Sequence, residues 1–251
     1  MEAKKFYVKL WNIISTSNHT FSIDSSGEKT SYQKAKKLIE KCNHYFSKYK
    51  KKRIVILAKK DAYNYCAILS ILLSGNVWVP LSIENPDERN LEIIKKIKPY
   101  LIIYDNNING SLISKINVLS ICNITMSDLI NSKQVPFKEI NFSDEDLSMI
   151  YFTSGSTNIP KGVKIKNESF IQVVKNIIQT IRPNNNIFGD YHELSFVISI
   201  PIIFPCVYTN STLYIGNSKD SILPCQSIIE HKIDYLITVP STLERISKEK
   251  N

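Results

Sequence analysis

The chain has 251 residues, of which 43% are hydrophobic and 22% charged, and its formal net charge is +9. This composition is ordinary for a soluble globular protein, and the length is sufficient for one or two domains. The N-terminal residues lead to no sustained apolar core of a signal peptide. The longest apolar stretch, 198–207, is interrupted by Pro201 and Pro205 and is too short for a membrane span. We therefore expect neither a signal peptide nor a membrane-spanning helix.

The cysteines are widely spaced and form no Cys-x-x-Cys pair. There are five of them, at positions 42, 66, 122, 206 and 225. An odd number of isolated cysteines argues against a disulfide framework or a zinc site. The pattern therefore predicts a protein of the reducing cytoplasm.

Part of the positive charge lies in short basic runs, at 34–37 and 50–53. Nucleic-acid binding is one interpretation of such runs, but no recognisable nucleic-acid-binding module accompanies them. Solvated helix faces in a chain rich in Lys, Asn and Ile explain them better. We therefore expect no nucleic-acid partner.

Apolar strands and amphipathic helices alternate along the chain. We predict strands at 20–23, 53–58, 77–81, 101–104, 149–152, 163–165, 194–200, 212–215 and 235–239. We predict helices from residue 31 to about 46, at 61–73, 87–98, near 127–131, at 167–181 and ending at 228–232, and a polar loop at 184–190. The fully apolar strand at 53–58 is typical of a parallel sheet that is covered on both faces. The alternation predicts an α/β fold of layered, mostly parallel sheets flanked by helices, with Trp78 in its core.

One stretch carries the chemistry of the chain. Between the β-prone runs 149–152 and 163–165 lies the sequence Thr-Ser-Gly-Ser-Thr-Asn-Ile-Pro-Lys-Gly, residues 153–162. Its hydroxyls and freed backbone N–H groups can donate hydrogen bonds to phosphate oxygens, and Lys161 can supply a positive charge. The lysine precedes the glycine and a strand follows, so the stretch is not a Walker A loop. The alternative is an ordinary hairpin turn, but such turns favour Asn-Gly or Asp-Gly.

This order of residues resembles the phosphate loop of the acyl-adenylate-forming, or AMP-binding, family, which includes acyl-CoA ligases, aryl-acid ligases and adenylation domains. Asn158 replaces the family's usual second glycine and tolerates positive φ. Segments within 67–89 and at 236–245 also resemble family motifs. The resemblance covers only about the first half of a family member and implies its N-terminal subdomains, with the C-terminal part absent. It implies a first α/β subdomain at roughly 1–145, and the phosphate-loop strand pair with the start of a second subdomain at 146–251.

The resemblance implies an ATP-dependent ligase. Such an enzyme converts a carboxylic acid and ATP to an acyl-adenylate and pyrophosphate, and then transfers the acyl group to a thiol of CoA or of carrier-protein phosphopantetheine. It implies ATP and Mg²⁺ as cofactors, with the Mg²⁺ ligand supplied by downstream residues and none by this chain. The implied phosphate-binding residues are Thr153, Ser154, Gly155, Ser156, Thr157, Asn158, Lys161 and Gly162. Of these, Thr153 and Lys161 are the implied catalytic residues.

The acid pocket is the second candidate site. Counting back without gaps from the strand at 212–215 places Phe196 and Val197 on the first two positions of the family's Phe-Asp-x-Ser motif. The aspartate of that motif pairs with the ammonium group of an α-amino acid, and a valine cannot do so. An aryl, fatty or hydroxy acid is therefore favoured. A gap in the alignment would instead bring Asp190 or Glu193 near the pocket, and core packing of Phe196 and Val197 is a further alternative.

Other functions stay open from the sequence. The chain fits a degenerate homologue that binds a nucleotide or a partner without catalysis, an amino-acid-activating enzyme, or a basic nucleic-acid-binding domain. Within the leading hypothesis, the downstream adenine- and ribose-binding motifs and the C-terminal domain are missing. We therefore expect no adenylation activity from these 251 residues alone.

Overall fold

In the computed structural model, the described residues are 1–106, 108–137, 142–153 and 160–249. The chain divides into two compact units, and each has a sheet of its own. The first unit comprises Met1–Lys4, Lys37–Lys59 and Tyr63–Ser169, and the second comprises Lys5–Lys36, Lys60–Ala62 and Phe170–Asn251. The predicted domain division at residues 145 and 146 stays a prediction.

Helices and strands alternate through both units. The strands are β1 (Thr20–Asp24), β2 (Lys29–Ser31), β3 (Arg53–Leu57), β4 (Val77–Leu81), β5 (Leu101–Tyr104), β6 (Cys122–Thr125), β7 (Leu147–Thr153), β8 (Lys161–Lys166), β9 (Ile187–Asp190), β10 (Thr212–Ile215) and β11 (Tyr235–Leu236). The helices are α1 (Glu2–Thr16), α2 (Tyr32–Phe46), α3 (Ala62–Leu73), α4 (Asp87–Ile97), α5 (Gly110–Val118), α6 (Met126–Ile130), α7 (Asn167–Ile181), α8 (Ser199–Tyr208), α9 (Ser218–Ile222), α10 (Pro224–Glu230) and α11 (Pro240–Glu249). The predicted fold class, mostly parallel sheets with helices between the strands, is confirmed.

The sheet of the first unit has the strand order β6-β5-β3-β4-β7-β8. Neighbouring strands from β6 to β7 are parallel, and β8 pairs with β7 in the antiparallel direction. Every residue of β4 is buried, which shows that the centre of this sheet is covered on both faces. Trp78 on β4 has no exposed surface. Its predicted place in the core is confirmed.

The connections in this sheet reverse direction at β3. From β3 the chain passes through α3 to β4 on one side, and from β4 it passes through α4 to β5 on the other side of β3. Such a reversal is a topological switch point, and ligands of open α/β sheets bind outside the carboxyl ends of the strands there. Because β7 is parallel to β4, the connection that follows β7 leaves from this same carboxyl edge.

The sheet of the second unit has the strand order β11-β9-β10-β1-β2. The first four of these strands are parallel, and β2 is antiparallel to β1. On α7, the fully buried ring of Phe170 makes edge-to-face contacts with Phe6 at 5.5 Å and with Phe204 at 4.7 Å between centroids. Aromatic pairs in this geometry add to the free energy gained by burying their surface. These rings therefore form an aromatic centre for the unit's core.

The predicted polar loop at 184–190 is wrong, because its second half is the strand β9. Phe188 pairs with Leu213 of β10 and is fully buried. A strand of only four residues beside a polar stretch has too little alternation to be recognised from sequence. Pairing with β10, which is distant in sequence, stabilises β9, so the local pattern alone does not predict the strand.

The predicted strand at 194–200 is also wrong. Turns occupy most of this segment, and α8 begins at Ser199. Pro201 lies in the first turn of α8, where backbone N–H groups have no partner within the helix, so a proline is tolerated there. Pro205 lies inside the helix. Because α8 is apolar and buried over most of its length, it shows no helical periodicity that distinguishes it from a buried strand.

The structure also bears on the expectations about membrane-spanning helices and disulfide bonds. Among the helices of the described residues, none combines the length and the apolar character that crossing a membrane requires. The five cysteines form no disulfide bond.

Candidate phosphate-binding site

The β7–β8 hairpin positions the motif at 153–162. The two strands pair from Leu147 opposite Lys166 to Thr153 opposite Lys161. Thr153 and Lys161 form the last pair, and both are exposed. The hairpin thus brings a hydroxyl and an ammonium group together at one end of a strand pair, on either side of the Ser/Thr-rich sequence.

The centre of the predicted phosphate loop, Ser154–Ile159, lies outside the described residues. Contacts of Ser154, Gly155, Ser156, Thr157 and Asn158 with phosphate therefore stay predictions. The two ends of the loop, Thr153 and Lys161, lie within the described residues and define its position.

The buried part of β7 holds the end of the hairpin in place. Met149 lies opposite Trp78 of β4 and is fully buried. The ring of Tyr151 meets the indole of Trp78 edge to face at 5.7 Å. Thr153 follows two residues after Tyr151 on the same strand, so packing in the core fixes where the exposed Thr153 begins the loop.

Gly162 allows a close contact between the two strands of the hairpin. It lies opposite Phe152, and a Cβ added at Gly162 would come within 3.1 Å of the Phe152 ring and 3.3 Å of Ile150. Such distances are tighter than ordinary van der Waals contact between carbon atoms. Close packing of the two strands therefore favours a glycine at position 162, in addition to the predicted role of Gly162 in binding phosphate.

Lys96 of α4 ties the exit of the loop to the rest of the unit. Its Nζ donates a hydrogen bond of 2.8 Å to the backbone carbonyl of Pro160, and Pro160 is buried. The contact joins residues 64 positions apart, so sequence patterns could not reveal it. It fixes the backbone immediately before Lys161.

Replacing Lys96 with methionine removes this hydrogen bond and keeps most of the apolar stem. In the protein encoded by the complete reading frame, we expect the Michaelis constant for ATP in an ATP–pyrophosphate exchange assay to rise about threefold to tenfold, because the exit of the loop loses its anchor. The matched control is Lys95→Met, since Lys95 is the neighbouring exposed lysine on the same helix. Equal behaviour of the two variants would show that the contact with Pro160 does not position the loop.

Lys161 is an available cation at the loop end of the hairpin. Within the described part of the chain it forms no ion pair, and its side chain is exposed. Lys166, at the other end of β8, is paired with Glu145, and this hydrogen bond raises the pKa of Lys166. An anion that approaches the loop therefore meets the charge of Lys161 without having to displace a carboxylate.

A separate crevice lies at the switch point of the first unit's sheet. It has a volume of about 230 Å³, and its walls include Lys59, Glu84, Asp87 and Asp105. The backbone N–H of Lys59 donates to the Asp105 carboxylate at 2.7 Å, and burial raises the pKa of that carboxyl group. Three acidic side chains around one cation disfavour the phosphates of a nucleotide. The hairpin therefore stays the candidate site for phosphate.

In the second unit, Phe196 and Val197 are 60% and 57% exposed. This exposure excludes the alternative that they are ordinary core residues. Both precede α8 in the turn region, where apolar side chains are accessible to a ligand. Their assignment to an acid pocket stays a prediction.

The alternatives at Asp190 and Glu193 differ in accessibility. Asp190 is completely buried at the end of β9, and its carboxylate accepts a hydrogen bond from the backbone N–H of His192 at 3.2 Å. Glu193 is half-buried. A buried carboxylate that accepts a hydrogen bond from the nearby backbone is a poor partner for a substrate ammonium group, so of the two carboxylates Glu193 is the more accessible alternative.

Sequence reasoning missed His192. Its Nε2 lies 2.9 Å from the Oγ1 of Thr238, and burial lowers its pKa. His192 follows β9 and Thr238 follows β11, and these two strands are parallel neighbours. Polar residues just beyond the carboxyl ends of adjacent parallel strands are the signal that could have found this pair.

The family profile described as "AMP-binding enzyme" matches residues 12–251. The chain therefore belongs to the AMP-binding enzyme family, and the resemblance inferred from the phosphate-loop motif is confirmed.

Two curated relatives and one solved structure illustrate the similarity. The chain is 25% identical over 245 residues to the hybrid PKS-NRPS synthetase gkaA of Penicillium citrinum, covering 93% of this chain and 6% of the synthetase. It is 24% identical over 199 residues to the D-alanine–D-alanyl carrier protein ligase of Staphylococcus aureus strain MRSA252, covering 77% of this chain and 40% of the ligase. Its fold matches that of ATP-bound MatB from Rhodopseudomonas palustris with a TM-score of 0.84 and 14% identity, over 96% of this chain and 50% of MatB. The chain thus spans less than half the length of both curated relatives.

Proposed function

We propose that the chain is the N-terminal portion of an ATP-dependent carboxylic acid–AMP ligase. In the proposed reaction, a substrate carboxylate oxygen attacks the α-phosphorus of ATP. The bond from this phosphorus to the bridging oxygen breaks, and pyrophosphate leaves with the electron pair. The acyl-adenylate then passes its acyl group to a thiol and releases AMP.

The observation that carries this proposal is the terminal Thr153–Lys161 pair of the hairpin. The main electrostatic demand of the reaction is stabilisation of negative charge on the departing pyrophosphate. The exposed ammonium group of Lys161 and the hydroxyl of Thr153 lie at the two ends of a sequence rich in hydroxyl and N–H donors. We assign the β- and γ-phosphates of ATP to this loop, with Lys161 neutralising charge as the bond to the α-phosphate breaks.

The described residues do not supply a metal site. Among them, no group of three or more His, Cys, Asp or Glu side chains could hold a metal ion. We therefore assign no residue of this part of the chain to Mg²⁺ and derive no step through it.

We propose a substrate acid without an α-ammonium group. The gap-free count assigns Val197 to the aspartate position of the family's motif, and a valine offers no charge to pair with an ammonium group. The exposure of Val197 supports this assignment. The D-alanine ligases among the relatives act on an amino acid, by their names, so the substrate is the point at which this chain departs from them. Aryl, fatty and hydroxy acids are the classes that fit.

Val197→Asp tests the substrate assignment. We expect the ratio of exchange with α-amino acids to exchange with aryl or fatty acids to rise about tenfold or more, because the new carboxylate can pair with an ammonium group. Pyrophosphate exchange across a panel of acids, catalysed by the protein encoded by the complete reading frame, measures the ratio. Val197→Asn is the control, since it adds polarity without charge. A ratio that stays unchanged in Val197→Asp would place the acid pocket elsewhere.

The acyl acceptor and the cellular setting complete the proposal. The names of the curated relatives include a carrier-protein ligase and an NRPS-containing synthetase, which supports carrier-protein phosphopantetheine as the acceptor thiol, with CoA as the other candidate. The five disulfide-free cysteines fit a reducing cytoplasm.

The proposal is tested by comparing two activities. The 251-residue chain is expected to show no ATP–pyrophosphate exchange, because it spans only 40% of the ligase relative. The protein encoded by the complete reading frame is expected to exchange pyrophosphate with at least one acid of the panel. If that protein binds ATP but exchanges with no acid, it is a non-catalytic homologue and the ligase assignment is wrong.

A further inference from the structure

A second concave surface lies at the amino-terminal edge of the first unit's sheet, opposite the edge from which the loop after β7 leaves. We define it as the basic cavity. It has a volume of about 480 Å³, and its lining includes Lys51, Lys52, Arg53, Lys98, Tyr100 and Lys164. Arg53 begins β3, Tyr100 directly precedes β5, and Lys164 lies on β8. None of these residues belongs to the motif from which the ligase activity is inferred.

The structure changes the interpretation of the basic run at 50–53. From sequence it is interpreted as part of a solvated helix face, but it precedes and begins β3. That interpretation is wrong for this run. Instead of spreading along a helix, Lys51, Lys52 and Arg53 join Lys98 and Lys164 around one cavity.

Few of these charges are compensated within the described residues. Lys51 forms an ion pair of 2.8 Å with Asp146, and the Nζ of Lys52 lies 5.8 Å from the centre of the Tyr100 ring. Arg53, Lys98 and Lys164 form no ion pair there. Cations that converge on a concave surface with apolar walls produce a strong local positive potential. An anion in the cavity would relieve their mutual repulsion.

We propose that the basic cavity binds a small anion with two or more linked phosphate groups. Its volume falls in the range of small-molecule sites, and concave convergence suits a compact ligand better than a macromolecular surface. Lysine ammonium groups act as separate point charges for phosphate, and arginine can contact two oxygens at once. The phosphates can be inorganic or part of an organic molecule, and the proposal does not depend on the ligase activity.

Lys98 allows binding to be separated from folding. It follows α4 in the left-handed region at φ 46°, where glycine is favoured. Lys98→Gly should therefore leave the melting temperature of the ligand-free chain unchanged or raised, and weaken inorganic triphosphate binding about tenfold. Lys232→Gly is a matched control, because Lys232 also has a left-handed backbone, with φ 52°, and lies in the second unit. It should bind triphosphate as the wild type does.

Calorimetric titration of the 251-residue chain tests the proposal. Inorganic triphosphate and ATP serve as separate probes, and Lys161→Ala serves as the variant of the loop site. We expect saturable triphosphate binding with an affinity that falls as salt is added. The affinity should be lower in the triple variant Arg53→Gln/Lys98→Gln/Lys164→Gln than in the wild type. It should be unchanged in Lys161→Ala. Tighter binding of ATP than of triphosphate in the Lys161→Ala variant would identify an organic phosphate as the ligand of the basic cavity.

Three results would overturn the proposal. One is the absence of triphosphate binding at low salt. Another is binding that is lost in Lys161→Ala and unaffected in the triple variant, which would assign the anion to the hairpin. The third is binding of a single-stranded oligonucleotide that the triple variant weakens while triphosphate does not bind, which would make the cavity part of a nucleic-acid surface.

Discussion

Replacing Lys161 with alanine is expected to lower the rate of ATP–pyrophosphate exchange by about a hundredfold or more in the protein encoded by the complete reading frame. The proposed reaction concentrates negative charge on the departing pyrophosphate, and an exposed ammonium group at the end of the β7–β8 hairpin is placed to neutralise it. Because this charge grows as the bond breaks, the loss should fall mainly on kcat and less on the Michaelis constant for ATP.

The stability of the Lys161→Ala variant should be close to that of the wild type. An exposed side chain without an ion pair among the described residues contributes little to folding, so we expect the free energy of unfolding to change by less than about 0.5 kcal/mol. Lys95→Ala is the control for loss of one surface charge in the same unit, and Lys161→Arg tests whether charge alone suffices. Full exchange activity in Lys161→Ala would contradict the assignment of Lys161 to the departing phosphates.

Sequence patterns predicted the regular elements that have one clear period and one clear stop. The helix α7 begins and ends where the pattern predicts, at Asn167 and Ile181. Likewise β4 matches the predicted strand from Val77 to Leu81. In both cases local side-chain periodicity and the neighbouring turn residues agree with the tertiary fold, and such agreement is what makes an element readable from sequence.

Elements that depend on distant partners could not be predicted in this way. The strand β9 is stabilised by pairing with β10 and β11. The helix α8 is a buried apolar segment, and its two prolines argue against a helix when only the sequence is considered. No pattern in the sequence predicted the nine-residue helix α5 either. Its cap, in which the Asn109 side chain accepts a 3.0 Å hydrogen bond from the N–H of Ser111, is local but follows a stretch of weak periodicity.

In the candidate site, too, local motifs could be recognised from the sequence and contacts between distant residues could not. The motif identifies the residues of the phosphate loop because their types and spacing are chemically specific. It does not reveal that Lys96 holds the carbonyl of Pro160, or that His192 meets Thr238. These contacts join residues 64 and 46 positions apart, and each depends on the tertiary fold of its own unit.

Replacing Trp78 with alanine is expected to lower the free energy of unfolding by about 3–5 kcal/mol. The indole has no exposed surface, and it lies on β4 between Ile54 of β3 and Met149 of β7. Its removal leaves a large cavity at the centre of the first unit's sheet and deprives Tyr151 of its edge-to-face partner. For a domain whose total stability is about 5–15 kcal/mol, this loss approaches unfolding.

Trp78→Phe removes the indole N–H but leaves a much smaller cavity than Trp78→Ala, so comparing the two variants isolates the destabilisation that is due to the cavity. Among the described residues, the Nε1 of Trp78 has no hydrogen-bond partner, so the phenylalanine variant loses no hydrogen bond and should lose only about 1–2 kcal/mol. Val118→Ala is the control for truncation of an apolar side chain, since Val118 is 83% exposed. Far-UV circular dichroism during guanidinium denaturation is the suitable measurement, because Trp78→Ala leaves Trp11 as the remaining indole fluorophore. A loss below about 1 kcal/mol in Trp78→Ala would mean that β4 is not the centre of a packed sheet, and the hairpin that β4 supports would lose its rigid base.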